Sequence, residues 1–378
     1  MKKSVTIIGG GPAAMLLAAH LNPNLFDVTI YEKNKALGRK FLVAGKGGFN
    51  LSHSENLTDF INRYTPPYFL KEAITSFSNV HLKTWFNELG IPNFIGSSKR
   101  IYPIAGIKPI EVLNAILTHL KQKNVHIKTE QNWIGWNDKE ELTFENGYIS
   151  HSDINIFSLG GSSWKKTGSS GEWTTYFAKK GITIIPFEAS NCAFNIDWNS
   201  DFLAKNEGKP LKNIKIHCKN HSKKGEIIFT KFGIEALSPQ IRDELHLKNK
   251  ATLTIDLKPS LSLEEIISKL NSGKITQQLS KTIKLEPPKI DLLKSYLTKE
   301  EFLDHQQLAK FIKKFPLEIK RLAPLDEAIS TVGGISLTEI NANFELLKKP
   351  NNYAIGEMLA YDAPTGGYLL QSCFSMGV

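Results

Sequence analysis

The chain has 378 residues, 41% hydrophobic and 22% charged, the composition of an ordinary globular protein with length for two or three domains and a sizeable core. No apolar run approaches the roughly 20 residues of a membrane-spanning helix, so the expectation is a soluble, cytoplasmic protein with no membrane partner. The formal net charge is +10, but five of the 47 basic residues are arginine, the residue suited to bidentate phosphate and base recognition; the scattered lysines read as a solvated basic surface rather than a nucleic-acid face.

The first elements are the most informative. Val5–Ile8 reads as an apolar strand, and Gly9-Gly10-Gly11-Pro12-Ala13-Ala14 fits G-x-G-x-x-A at the start of a helix. Gly9 permits the tight turn, Gly11 lets backbone approach a pyrophosphate, and Ala14 allows close helix–strand packing. The open N–H groups and dipole of the helix start then face phosphates. A second strand, Asp27–Tyr31, ends at Glu32, about 20 residues after the turn, where an acid binds ribose hydroxyls and disfavours a 2′-phosphate. FAD or NAD is expected, not NADP. Lys2-Lys3 before an apolar run resembles a secretion signal, but the glycines and Pro12 break the run and no small-residue cleavage site follows.

A Gly-rich loop, Gly38–Asn50, comes next, followed by helical patterns at Asn56–Tyr64, Tyr68–Phe77 and His81–Leu89. Ile110–Lys121 is an amphipathic helix with Ile110, Leu113, Ile116, Leu117 and Leu120 on one face. Short strands are expected at Val125–Ile127, Trp133–Trp136 and Glu141–Glu145, with Asn146-Gly147 as a hairpin turn. Asp153–Leu159 runs into Gly160-Gly161. From residue 187 the texture changes to alternating segments (Asn191–Ile196, Ile214–Cys218, Glu226–Lys231, Thr252–Leu257), the pattern of an antiparallel barrel-like unit. Residues 262–315 read as a Lys-rich helical cap, 316–326 as a return strand, and 327–378 as a return to Gly-rich style. The fold class is therefore α/β: a Rossmann-like dinucleotide domain (1–186 and 327–378) interrupted by a barrel-like insertion (187–261) and the cap.

Near the C-terminus, Asn352–Glu357 reads as a strand ending in Gly-acid, followed by Pro364–Gln371 and a closing helix. In two-dinucleotide-fold flavoproteins such a carboxylate meets the ribityl hydroxyls, and the helix start faces the flavin pyrimidine. Paired with the N-terminal turn, this element makes FAD the expected cofactor. Cys192, Cys218 and Cys373 form no C-x-x-C, which leaves a flavin–disulfide mechanism without its thiol pair and fits a reducing compartment. No metal-ligand spacing stands out; His217 and His221 lie in a strand-like stretch.

Over nearly its whole length the chain resembles the BaiN-like (YhiN-type) FAD-dependent oxidoreductases, also known as aminoacetone-oxidase-family flavoproteins. The ordered matches are IIGGGPAA, EKNKALGRK, AGKGGFNLSHSE, SLGGSSWKKTGSSGEW, TVGGISL and GEMLAYDAPTGGYLLQSCFSMG. The resemblance implies FAD phosphates at Gly9–Ala14, ribose at Glu32 and Lys33, and Arg39 and Lys40 flanking the cofactor. It further implies Gly45 and Asn50 in the Gly-rich loop, Trp133 backbone near adenine, and Gly160-Gly161 as a second glycine contact. Gly356-Glu357 and Gly366-Gly367-Tyr368 would surround ribityl and flavin. One departure is Phe49, in Gly47-Gly48-Phe49-Asn50, where relatives carry cysteine; thiol chemistry beside the flavin does not transfer.

A second nucleotide fingerprint is absent, since Gly168–Gly171 is too short and lacks the strand, so any NAD(P)H must bind transiently over the flavin, or the reductant is the substrate itself. The expected activity is hydride transfer between a small organic substrate and flavin N5, with Arg100, Tyr102 and Lys108 as candidates for anchoring or polarising it. The substrate is expected at the junction of FAD domain, barrel and cap, where ligand clefts usually lie. The alternatives are a flavin-dependent RNA-modifying enzyme and a flavin-binding protein without turnover.

Overall fold

Runs of β-branched residues at Lys3–Ile8, Phe26–Tyr31 and Ile154–Phe157 pair in parallel, with Lys3–Ile8 in the middle. The computed structural model describes residues 1–43, 49–219, 221–235, 251–270 and 274–378. They divide into two units: Met1–Asn191 with Leu325–Val378, and Cys192–Pro324.

In the first unit His126–Lys128 and Asn352–Ala354 extend the parallel sheet at its two edges, giving the order 352–354, 154–157, 3–8, 26–31, 126–128. Val5, Ile7 and Ile8 are buried, as expected of a sheet covered on both faces. The helix Pro12–His20 crosses from the first strand to the second. It is apolar almost all round because Ala13, Ala14, Met15, Leu16, Ala18 and Ala19 are all buried. Close approach of the C-terminal helix, Tyr368–Met376, accounts for the small residues: a Cβ at Gly377 would lie 2.7 Å from the Ala13 carbonyl oxygen. The amphipathic helix is Pro109–Gln122 and buries Val112, Leu113, Ile116 and Leu120. A meander of Trp133–Trp136, Leu142–Phe144 and Ile149–Ser150 forms the crossover to 154–157. Asn352–Glu357 does not stay extended: the strand stops at Ala354, and Gly356 at φ +81° starts a one-turn 3₁₀ helix. A smaller antiparallel sheet joins Ser52–His53, Arg100–Pro103 and Asn93–Ile95.

The second unit is a six-stranded antiparallel sheet in the order 194–195, 233–235, 221–230, 210–218, 251–256, 315–319. Its helices, among them Leu263–Lys269, Pro287–Tyr296 and His305–Lys313, contribute Ile266, Leu292 and Leu308 to the same core as Phe229, Leu253 and Ile255 of the sheet. The segments with barrel-like and cap-like sequence texture thus share one apolar core. The short helix Ser200–Asn206 and strand Gly233–Glu235 carry no sequence pattern that marks them. No described helix is long and apolar enough to cross a membrane.

Candidate functional site

The glycine turn is built by necessity. Gly9 has φ +99°, and a Cβ there would lie 2.4 Å from the Ser158 carbonyl oxygen, so only glycine fits between the two strands. Gly11 differs: a Cβ there would meet nothing within 4 Å. It faces a cavity at the N-terminus of Pro12–His20, where no side chain caps the helix and no acid occupies the first turn. That is an open anion site by geometry and dipole.

Around this cavity the structure brings together Gly9, Gly11, Pro12, Ala13, Glu32 and Lys33, with Arg39 and Lys40 from the next helix. Trp133, Gly160, Gly356 and Glu357 close it. Ala14 is buried beneath the helix and does not line it, and Gly161 packs against Thr331 and Glu357 instead. Gly45 lies outside the described residues. Other lining residues carried no sequence assignment: Asn34, Gln131, Thr167, Ser169 and Cys373. Gly168–Ser170 belongs to the GSSG segment, which is too short for a second fingerprint yet lines this cavity.

Glu32 does more than close a strand. Its Oε2 accepts the Gly10 N–H at 2.8 Å, and Oε1 accepts Asn34 N–H at 2.8 Å and Asn34 Nδ2 at 2.6 Å. The acid therefore orders the turn, and a carboxylate's four lone-pair sites leave room for a further donor. At the opposite side Lys40 Nζ donates to Glu357 Oε2 at 2.7 Å and to Ser163 Oγ at 2.8 Å, while Glu357 Oε1 accepts the Thr331 N–H. Burial, with the Glu357 carboxylate nearby, pushes the Cys373 thiol up to about 12, so it stays protonated. The indole Nε1 of Trp133 is buried without a protein partner, as is Asn50 Nδ2. Buried donors of this kind are costly unless something accepts from them.

Asn50, Gly366, Gly367 and Tyr368 form a second cluster, at the start of the last helix. Gly367 has φ +102°, and a Cβ there would sit 2.6 Å from Ser52 backbone and 2.7 Å from Asn50 Nδ2. Glu55 ties the cluster together: it accepts Tyr368 Oη at 2.8 Å, Arg63 Nε at 2.9 Å and Arg63 Nη2. The Arg63 guanidinium holds the Glu55 carboxyl below its usual range, whereas burial and Glu55 raise the Tyr368 phenol. His53 stacks on Tyr368 with ring centroids 5.1 Å apart and planes at 23°. Its Nδ1 accepts the Glu55 N–H at 3.1 Å, and burial lowers its pKa, leaving a neutral imidazole whose other nitrogen carries the proton.

Arg100 pairs with His53 across the small sheet, and its guanidinium reaches Gly366, whose Cβ position lies 3.4 Å from Arg100 Nε. Tyr102 lies two residues on and packs against Phe94. Lys108 caps Pro109–Gln122, its N–H donating to Glu111 at 2.7 Å. Tyr368 and the NLSHSE stretch, which holds His53 and Glu55, belong to the matched motifs, but Arg63 and the contacts of His53 and Glu55 emerge only in three dimensions. Among the described residues no group of three or more His, Cys, Asp or Glu side chains is arranged to hold a metal.

The profile of the family described as the HI0933-like protein Rossmann domain matches residues 3–378. A ribosomal RNA dihydrouridine synthase of Haemophilus influenzae is 24% identical over 98% of this chain and 95% of its own. One of the same name from Escherichia coli is 21% identical over 98% and 94%. Among solved structures, the open conformation of a flavocytochrome c3 fumarate reductase shares the fold, with a TM-score of 0.53 at 12% identity, covering 100% of this chain and 77% of that one.

Proposed function

The chain belongs to the HI0933-like Rossmann-domain family and is an FAD-dependent oxidoreductase; from that premise we propose that it reduces a carbonyl-bearing planar ring, a uracil base of RNA being the favoured class. The cavity residues fit FAD. Gly11 opens onto free space at an uncapped helix start, and Trp133 and Asn50 hold buried donors without protein acceptors. In this reading Gly9–Ala14 receive the pyrophosphate, Glu32 and Lys33 the adenosine ribose, and Arg39 the flank of the cofactor. Lys40 and Glu357 meet the ribityl chain, and Asn50 with Gly366–Tyr368 meets the flavin.

When bound, FAD supplies two-electron, hydride-transferring chemistry. The protein's own contribution is positional. The single observation that carries the substrate end is the cross-strand pair of His53 and Arg100 beside Gly366. Arg100 would polarise a ring carbonyl, and His53, neutral and fixed by Glu55, would donate to a second polar atom. The Glu55–Arg63–Tyr368 network holds both against the last helix. The overall change is addition of two hydrogens across a double bond conjugated with a carbonyl, at the expense of NAD(P)H. The full-length likeness to two relatives named for dihydrouridine synthesis favours RNA as the bearer of that ring.

The test is to incubate holoprotein and NAD(P)H with ribosomal RNA from a strain lacking the gene and measure dihydrouridine by nucleoside mass spectrometry. Dihydrouridine should form, and Arg100→Ala should lose it while retaining FAD. A flavin readily reduced by NAD(P)H with no dihydrouridine formed would contradict the RNA reading. It would favour a free carbonyl or carboxylate substrate.

A further inference from the structure

One face of the small sheet formed by 52–53, 100–103 and 93–95 carries a row of rings and cations. His53 pairs with Arg100, and Tyr102 pairs with Phe94. Residues opposite each other in an antiparallel ladder share a face, as do residues two apart on a strand. The four side chains therefore lie on one side, in the order His53, Arg100, Tyr102, Phe94. At the inner end the His53 ring stacks on Tyr368. At the outer end the Phe94 and Tyr102 rings are 5.9 Å apart and inclined by 31°. Phe94 is 46% exposed. Folding alone gives no reason to leave an aromatic ring on the open face of a three-stranded sheet.

Charge indicates what would cover it. From Asn93 to Lys108 the chain carries Lys99, Arg100 and Lys108 and no Asp or Glu. Lys99 stands exposed at the turn between the two strands with φ +60°. Aromatic rings beside cations, with no acid from Asn93 to Lys108, suit a strand of unpaired nucleotides, whose bases stack on rings and guanidinium planes while phosphates meet lysines. An acidic protein partner would use the cations but not the ring row.

We propose that this face is a stacking surface for unpaired RNA nucleotides flanking the base held at Arg100. The proposal rests on the RNA reading above and adds the path by which the strand enters. Phe94 and Tyr102 take flanking bases, Lys99 and Lys108 take phosphates, and His53 marks the end nearest the flavin.

The experiment uses FAD-loaded protein and a fluorescein-labelled ten-nucleotide uridine oligomer, with binding read by anisotropy at fixed low salt. Wild-type protein should bind, and Phe94→Ala should weaken binding by about 5- to 150-fold, the range for loss of one base–aromatic stack. Phe94→Trp should restore it. NAD(P)H reduction of the flavin should be unchanged in both variants, because Phe94 lies outside the proposed cofactor and carbonyl contacts. If wild type binds the oligomer and Phe94→Ala binds equally well, the stacking surface is wrong while the RNA reading stands. If wild type reduces its flavin but binds no RNA, the RNA reading fails and takes the surface with it. Binding of the wild-type protein to anionic lipid vesicles that is lost in Phe94→Ala, with no RNA binding, would overturn the proposal in favour of a membrane.

Discussion

In the first unit the buried side chains include Glu32, Glu357, Ser163, Asn191 and Gln371, whereas the second unit's core is mostly Ile, Leu and Phe. Among the described residues of the second unit, the buried polar side chains are Asn206, Asp256, Gln278 and Lys289. Asp256 is paired with Lys313 at 2.6 Å, and Lys289 donates to a main-chain carbonyl. Burying polar groups costs free energy unless each finds a partner, so a unit that buries many has a reason other than stability. In the first unit that reason is the cavity: Glu32 orders the glycine turn and Glu357 anchors Lys40 beside Ser163. The second unit has an ordinary sheet-and-helix core, within which Asp256 and Lys289 find partners in the same unit.

The largest expected effect falls on the second unit. Phe229, fully buried between Trp198 and Phe202, should cost about 3–5 kcal/mol of stability when replaced by Ala, seen as a lower denaturation midpoint. FAD affinity of the protein that remains folded should match wild type. A parallel fall in affinity would erase the distinction between the two regions.

Glu32→Ala reverses the pattern. It removes acceptors for Gly10 and Asn34 together with the proposed ribose contact. A charge-assisted hydrogen bond contributes about 1.5–3 kcal/mol, so FAD affinity should fall roughly 10- to 150-fold with the first unit still folded. Unchanged affinity in a flavin titration would mean that the acid serves the turn alone.

The smallest effect is on acid stability. Arg63 depresses the Glu55 carboxyl in the folded state, so its contribution is fully present above the unfolded carboxylate value of about 4.3 and is lost as pH falls through the lower folded value. Burial depresses His53 as well, so protonating it opposes folding and stability declines below about pH 6.5. Melting curves against pH should therefore fall on the acid side. Glu55→Gln should flatten the lower part of that limb and His53→Gln the upper part; identical limbs in all three proteins would exclude both groups.

What the sequence made legible was local. The Gly9 turn, the helix after it and the acid at Glu32 are neighbours in the chain, and glycine is imposed at Gly9 by a φ no other residue adopts cheaply. The amphipathic helix could be read from its period, observed as Pro109–Gln122. The Glu55–Tyr368 hydrogen bond spans 313 positions, and the row from His53 to Phe94 depends on the register of three short strands, so neither has a local signature. Composition separated a strand-rich from a helical stretch within residues 187–315, but a shared core is a property of packing and leaves no mark on composition.

The most direct test of the account is an FAD titration of apo Gly11→Leu beside apo wild type. Because a Cβ at Gly11 meets no protein atom, the variant should keep the wild-type far-ultraviolet spectrum and melting temperature. Its side chain should fill the space proposed for the pyrophosphate and abolish FAD binding. A folded Gly11→Leu protein that binds FAD with wild-type affinity would contradict the placement of the cofactor and every role assigned around it.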